Sequence, residues 1–279
     1  MKDLAICILT RGRAYRQITL ANLHPHLLNY THLVIDEDEK DDHIKYKRNY
    51  VVDDVWYMPR KFLTHNFDGN FSDKKDWIAR RIKKRYIIFV DDDLKFDARV
   101  DGKLVKANQI QTWKSFNLLY KYLKEGFAHV ALSAREGNNR VEEDYRDSTR
   151  AMRVCGFDLN VVFKHNLFFN RLPLMADFDI TLSLLELGYP NRVIYKYANG
   201  QRKSNDDGGC SLYRTPELMT AAAKGLYKFH PQFVKVEEKT TSKPWAGFDT
   251  NKRTDVTVAW RKAYDSGKNR NKKGIKDLL

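Results

Sequence analysis

A chain of 279 residues, 42% hydrophobic and 13% aromatic, has the material for a substantial core. That excludes a disordered or fibrous protein and leaves one domain with an appendage, or two small domains. Lys and Arg number 50 against 36 Asp and Glu, a net charge of +14 that favours a polyanionic partner, nucleic acid before anionic membrane.

Met1-Lys2-Asp3 runs straight into a six-residue apolar stretch, too short for a signal-peptide core, and nowhere do 18 apolar residues run together. Cys7, Cys155 and Cys210 lie far apart without a CxxC spacing, which speaks against a disulfide framework or a structural zinc site. A soluble cytoplasmic protein with no membrane partner is expected. Leu4–Leu9 reads as a buried strand ending in the polar turn Thr10-Arg11-Gly12-Arg13, and a helical pattern over Gln17–Leu28 follows, as in the first βα unit of a nucleotide-binding sheet. Gly12 would let the backbone approach a ligand, with Arg11 and Arg13 facing phosphates. The turn is neither a Walker loop nor a GxGxxG turn, so ATP hydrolysis and dinucleotide binding lose support. His32–Ile35 reads as another short strand, closed by Asp36-Glu37-Asp38-Glu39, where Asp36 is placed to meet a ribose or base; a solvated acidic turn is the alternative.

Val51–Tyr57 predicts a strand stopped by Pro59, and Asp73–Ile82 a helix with Trp77, Ile78 and Ile82 on one face and basic residues mostly on the other. That helix delivers the chain into Tyr86-Ile87-Ile88-Phe89-Val90, an apolar run expected to be buried on both faces, and then into Asp91-Asp92-Asp93. Ligands of open α/β sheets bind beyond the carboxyl ends of the strands, so three carboxylates there are placed to hold a divalent cation against a phosphorylated ligand. Asp101-Gly102 predicts a hairpin turn, Ile110 to Leu123 a helix ended by Gly126, Phe127–Ser133 a strand, and Arg135–Arg150 a charged surface loop. A second acidic signature, Asp177-Phe178-Asp179, opens a helix carrying Ile180, Leu184, Leu185 and Leu187 and ended by Gly188. Asp177 reads either as a helix cap or as a general base. From Lys252 to Lys276 basic residues dominate, with Trp260 and Tyr264 interleaved, a composition suited to phosphate contacts and base stacking or to a solubilising tail.

The turn Thr10-Arg11-Gly12-Arg13, the strand into Asp91-Asp92-Asp93 and the acidic-aromatic-acidic helix start together resemble GT-A glycosyltransferases. With Leu187-Gly188-Tyr189, Asn205-Asp206-Asp207-Gly208-Gly209-Cys210-Ser211 and Arg214-Thr215, the chain looks like the TET/JBP-associated glycosyltransferases of bacteriophages over roughly residues 4 to 235. The resemblance implies a Rossmann-like α/β fold with a mixed, mostly parallel sheet over residues 1–235 and a basic extension over 236–279. It implies a nucleotide-sugar donor, a UDP-sugar first, held through Mn²⁺ or Mg²⁺, and an acceptor DNA carrying a hydroxymethylated pyrimidine. Inverting transfer, in the host cytoplasm if phage-encoded, completes the expectation.

On that resemblance Asp93 is the expected metal ligand and Asp91 a metal or ribose partner, with Asp92 in the surrounding donor site. His230 is the candidate third ligand. Asn205, Gly208 and Gly209 would close over the donor beside Thr10, Arg11, Gly12, Arg13 and Asp36. Asp177 would act as base, supported by Asp179. Lys252, Arg253, Arg261, Lys262, Arg270, Lys272 and Lys273 would meet DNA. Ala176 stands where the family often has Glu, which keeps open a nucleic-acid-binding module without activity; a transferase acting on protein or polysaccharide is the rival within the enzyme class.

Overall fold

The computed structural model describes residues 1–46, 52, 54–65, 70–136, 138, 141–201, 208–241, 244 and 248–276, with 271–276 as backbone only. Strands β1 (Leu4–Leu9), β2 (Thr31–Asp36), β3 (Val55–Met58) and β4 (Tyr86–Asp91) lie side by side in the order β3-β2-β1-β4, all parallel. All six residues of β1 are buried, and the two faces of the strand feed different cores. Ala5, Cys7 and Leu9 pack with Ile87 and Phe89, while Leu4, Ile6 and Ile8 pack with Ile88 and Val90. A strand covered on both faces needs an unbroken apolar run, which is why Leu4–Leu9 and Tyr86–Val90 do not alternate. Each such side chain contributes about 1.5–3 kcal/mol of burial.

Beyond β4 the sheet turns mixed. The hairpin β5 (Lys95–Val100) and β6 (Lys103–Lys106) turns through Asp101 (φ 48°) and Gly102 (φ 76°), the positive-φ pair of a two-residue loop. Strands β7 (His129–Ala134), β8 (Tyr145–Asp147), β9 (Val154–Asp158) and β10 (Asn191–Gly200) complete the order β3-β2-β1-β4-β9-β7-β10-β5-β6, with β8 on β10. Strand β9 is antiparallel to both β4 and β7, and β10 runs parallel to β7. A Cβ on Gly156 would stand 2.9 Å from Val130 Cγ2, so glycine lets β9 fit there.

Helices cover both faces. The expected helix over Gln17–Leu28 divides into α1 (Ile18–Asn22) and α2 (Pro25–Leu28), because Pro25 can only begin a helix. The others are α3 (Lys40–Tyr46), α4 (Phe71–Ala79), α5 (Gln109–Lys124), α6 (Leu159–Lys164), α7 (Ala176–Glu186), α8 (Pro216–Phe229) and α9 (Trp260–Lys276). Leu20, Leu27, Phe116 and Leu119 cover one face of the sheet; Trp77, Ile78, Val162, Ile180 and Leu184 cover the other, giving three layers. Arg135–Arg150, expected as loop, contains β8, held by the two bonds from Arg192 to Asp147.

The C-terminal region forms a second, two-stranded sheet of β11 (Val234–Thr240) and β12 (Lys252–Val258), followed by α9. The expected boundary at 235/236 falls inside β11. Leu182 and Leu185 of α7, Leu226 of α8, Val234 and Ala263 form a third core that joins this region to the sheet domain. Among the described residues no helix is long and apolar enough to cross a membrane.

Candidate active site

One pocket opens at the carboxyl ends of β1 and β4, and its acidic wall is made by the turn after β4. Thr19 of α1 shapes that turn: its hydroxyl donates to the Asp91 carbonyl at 2.6 Å and accepts from Leu94 N at 2.9 Å, while its N–H reaches the Asp92 carbonyl at 3.0 Å. The three aspartates take different duties. Both oxygens of Asp92 are committed, one to Thr10 Oγ1 at 2.5 Å and the other to the Arg13 guanidinium. Although Asp92 borders the pocket, its carboxylate is spent on holding the β1 turn to the β4 turn. Asp93, 3% exposed, has Oδ2 near Arg13 (3.4 Å) and Gln201 (3.2 Å), and its buried Oδ1 has no partner among the described residues. Asp91 also borders the pocket. Burial pushes its carboxyl up to about 7, with Lys75 pulling down and Asp93, Asp177 and Asp92 adding repulsion.

Opposite stands the start of α7. Met175, at φ 61°, precedes the helix without a side-chain cap, so Asp177 lies inside the first turn and is not the cap. Its carboxylate lines the pocket and takes no hydrogen bond from the described residues. Asp179 is a correction to the expected catalytic pair. Two residues along a helix is a rotation of roughly 200°, which carries Asp179 to the far side. There it is 1% exposed, bonded twice to Arg171 (2.9 and 2.6 Å) and once to His230 Nε2 (3.0 Å). His230 is a second correction as a metal ligand. Its other nitrogen meets Glu186 at 2.5 Å, so both ring nitrogens serve this cluster, away from Asp91 and Asp93. Burial lowers its pKa, but Asp179 and Glu186 outweigh burial and raise it.

The expected donor residues separate into two groups. Arg13, Gly208 and Gly209 line the pocket. Gly208 (φ 87°) lies so close to the β1 turn that a Cβ would sit 2.8 Å from Arg13 Cγ and 2.9 Å from the Arg11 carbonyl. Thr10, Arg11, Gly12 and Asp36 do not line it. Arg11 is bonded to Asp38 (2.6 and 2.9 Å) and Asp36 (3.3 Å), and Gly12 N donates to Glu39 at 2.6 Å. Asp36 takes the ammonium of the fully buried Lys74 at 2.6 Å, which also donates to the Thr10 carbonyl. This network braces the β1 turn from behind. Asn205 lies outside the described residues.

Lys75 and Arg153 line the pocket without having stood out in the sequence, and Arg214, part of the family resemblance with Thr215 but given no role, lines it too. At Lys75 burial opposes the charge, yet Asp177 and Asp91 raise its pKa. Arg153, at φ 66°, bonds Glu136 through Nη1 at 2.8 Å, and its carbonyl takes the N–H of Asp91. Buried Nε atoms of Arg153 and Arg214 have no hydrogen-bond partner among the described residues. Cations beside carboxylates in one cleft suit a phosphorylated ligand.

Lys252, Arg253, Arg261, Lys262 and Arg270 are exposed on β12 and α9 and do not line this pocket. Arg253 pairs with Asp255 (3.2 Å), and Arg270 donates to the Glu186 carbonyl (3.0 Å) at the end of α7. Lys272 and Lys273 lie on α9, their side chains outside the description.

The sequence pattern of the TET-Associated Glycosyltransferase family matches residues 4–209. No curated protein sequence matches the chain. Among solved structures, a mycobacterial protein is 8% identical with a TM-score of 0.51, covering 94% of this chain and 88% of that one. Staphylococcus aureus TarS in complex with UDP-GlcNAc is 11% identical at TM-score 0.49, covering 80% of this chain; this chain spans 66% of that TarS fragment. A glucosyl-3-phosphoglycerate synthase from Mycobacterium tuberculosis, in complex with Mn²⁺, UDP and phosphoglyceric acid, is 10% identical at TM-score 0.48, covering 93% and 89%.

Proposed function

The chain belongs to the TET-associated glycosyltransferase family and has the GT-A fold, and from that premise we propose that it transfers a sugar from a UDP-sugar to the hydroxymethyl group of 5-hydroxymethylcytosine, or its uracil counterpart, in DNA. The observation that carries this reading is the convergence of Asp91, Asp93 and Asp177 with Lys75, Arg153 and Arg214 in one pocket at the carboxyl end of the parallel strands.

A divalent cation fits the residues present. Asp93 offers a buried, unpartnered oxygen, and Asp91 is crowded by like charges that a cation would relieve. Among the described residues no three His, Cys, Asp or Glu side chains group tightly enough to hold an ion alone. Two carboxylates completed by diphosphate and water oxygens is the arrangement Mg²⁺ commonly adopts. When bound, Mg²⁺ or Mn²⁺ supplies Lewis-acid charge to the diphosphate.

The chain's own groups supply the rest. Lys75, Arg153 and Arg214 place cations around the leaving diphosphate. Asp177 takes the proton of the acceptor hydroxyl as its oxygen attacks the anomeric carbon from the face opposite the diphosphate, inverting that centre. Asp92, Arg13 and Thr10 keep the two turns in register so that Asp91 and Asp93 stay aimed at the donor. A base inside a duplex must leave its stack to reach Asp177.

Thermal unfolding with UDP and Mn²⁺ tests the donor half. Near 100-fold saturation the wild type should gain roughly 5 °C in Tm, only with metal present. Asp93→Ala should lose the gain and Asp177→Asn should keep it. A wild type that gives no metal-dependent shift contradicts the proposal.

A further inference from the structure

Near the pocket, a shallow hollow is lined by Arg146 of β8, by Ser148 and Thr149 after it, and by Trp260, Arg261 and Lys262 at the start of α9. It collects hydrogen-bond donors that the protein itself does not satisfy. Ser148 is 4% exposed, and its Oγ has no hydrogen-bond partner among the described residues. Helix α9, 17 residues long, starts after Ala259, whose carbonyl accepts Ala263 N–H at 3.1 Å but whose methyl group cannot cap. Its first turn holds no acidic residue and instead carries Arg261 and Lys262 at the positive end of the helix dipole, where an anion is the favourable occupant.

The charges around the hollow are one-sided. Lys262 has no ion pair among the described residues. Arg146 pairs with Glu143 and Arg261 with Asp265, both exposed pairs that give way easily. Asp147, the one carboxylate in the lining, is held by Arg192 through two bonds of 2.8 and 2.9 Å. What is missing is an acceptor with several oxygens and a negative charge.

The hollow is linked to the pocket through Phe178. Trp260 meets Phe178 edge-on at 5.2 Å, Arg150 stacks 4.8 Å from the same ring, and Phe178 follows Asp177 in the chain. Thr149 of the hollow and Met152 of the pocket are three residues apart, at most about 11 Å. At about 3.4 Å of rise per phosphate along one strand, that is the span of a few nucleotides.

We propose that this hollow holds a phosphodiester of the acceptor strand, gripped by Ser148 Oγ, the first-turn N–H groups of α9 and Lys262, so that the nucleotide entering the pocket is anchored within a few positions of Asp177. The inference rests on the DNA-acceptor reading above. The donor diphosphate has its own cations in the pocket, so this second cationic site belongs to the acceptor.

The test uses duplexes with one 5-hydroxymethylcytosine in which single phosphates near the target are replaced, one at a time, by neutral methylphosphonates. They are compared on the wild-type protein and on Ser148→Gly combined with Lys262→Ala. Glycine suits the φ of 56° at position 148, so the hydroxyl is removed without disturbing the backbone. In the wild type one methylphosphonate position should raise KM about tenfold. The double variant should show the raised KM already, no further effect at that position, and a salt slope of DNA binding lower by about 1. The UDP and Mn²⁺ thermal shift should be unchanged. A double variant that keeps the wild-type methylphosphonate pattern and salt slope overturns this inference and leaves the proposed function standing. A wild type that neither binds nor modifies hydroxymethylated DNA overturns both.

Discussion

Asp177 and Asp179 show how two residues of one motif acquire different work. The helix rotation of roughly 200° between them is fixed by geometry, so only one can face the pocket, and the other must find partners in the core. Asp177→Asn should lower kcat by about 10²–10⁴-fold and leave urea stability within about 0.5 kcal/mol. Asp179→Asn should instead cost roughly 1–3 kcal/mol, because it breaks the bonds to Arg171 and His230. Urea unfolding of the two variants separates these effects; equal destabilisation contradicts the assignment. The buried histidines contribute to the pH response alongside Asp91, whose raised carboxyl acts in the opposite sense over the same window. Burial against Phe157 lowers His129 to about 4, and burial lowers His43 to about 4 as well. Between pH 6.5 and 4 the unfolded chain therefore binds protons at these sites that the native state refuses, and the stability these two histidines contribute falls as pH falls through that window. His230 runs the other way: its raised value contributes stability that is full below the unfolded value of about 6.5 and is lost as pH rises through the folded value. His129→Gln should flatten the acid limb of stability between pH 6.5 and 4; an unchanged limb contradicts the account.

At the scale of elements, the parts readable from sequence are those whose local chemistry leaves one solution. β1 and β4 are unbroken apolar runs, and Asp101-Gly102 demands positive φ. β9 was not readable, since five residues interrupted by Gly156 give no period, and the reason for that glycine, Val130 lying opposite, is set by a distant strand. In the basic segment after residue 252, charge dominates the sequence, yet Val256, Val258 and Trp260, whose apolar character points to local packing, anchor it together with Ala263 to α7 and α8. Gly267 tests that docking. A Cβ there would lie 2.5 Å from the Glu186 carbonyl and 2.6 Å from Gly188 N. On a free helix Gly267→Ala would stabilise by about 1 kcal/mol; on the docked α9 it should destabilise by about 1–3 kcal/mol. Thermal unfolding gives the sign, and a stabilised variant contradicts the packing of α9 on α7.

Across the whole molecule, the site joins residues from 13 to 214, and its carboxylates were easier to read than its cations other than Arg13. Asp91, Asp93 and Asp177 stood out because carboxylates at strand and helix ends are conspicuous in a chain of net charge +14. Lys75 and Arg153 did not, because one cation among 50 Lys and Arg carries no local signal until the fold brings it into the pocket, as it brings Lys75 beside Asp91 and Asp177. On the proposed DNA acceptor the basic excess would have a use, holding the polyanion while one base is worked on. The most direct test is to incubate the protein with duplex DNA carrying 5-hydroxymethylcytosine, Mn²⁺ and a panel of UDP-sugars, then weigh the nucleosides by mass spectrometry. The account predicts a nucleoside heavier by one sugar residue with at least one donor, and about 10²–10⁴-fold less of it from Asp177→Asn. Unmodified 5-hydroxymethylcytosine with every donor, from a protein that still binds UDP and Mn²⁺, would contradict it.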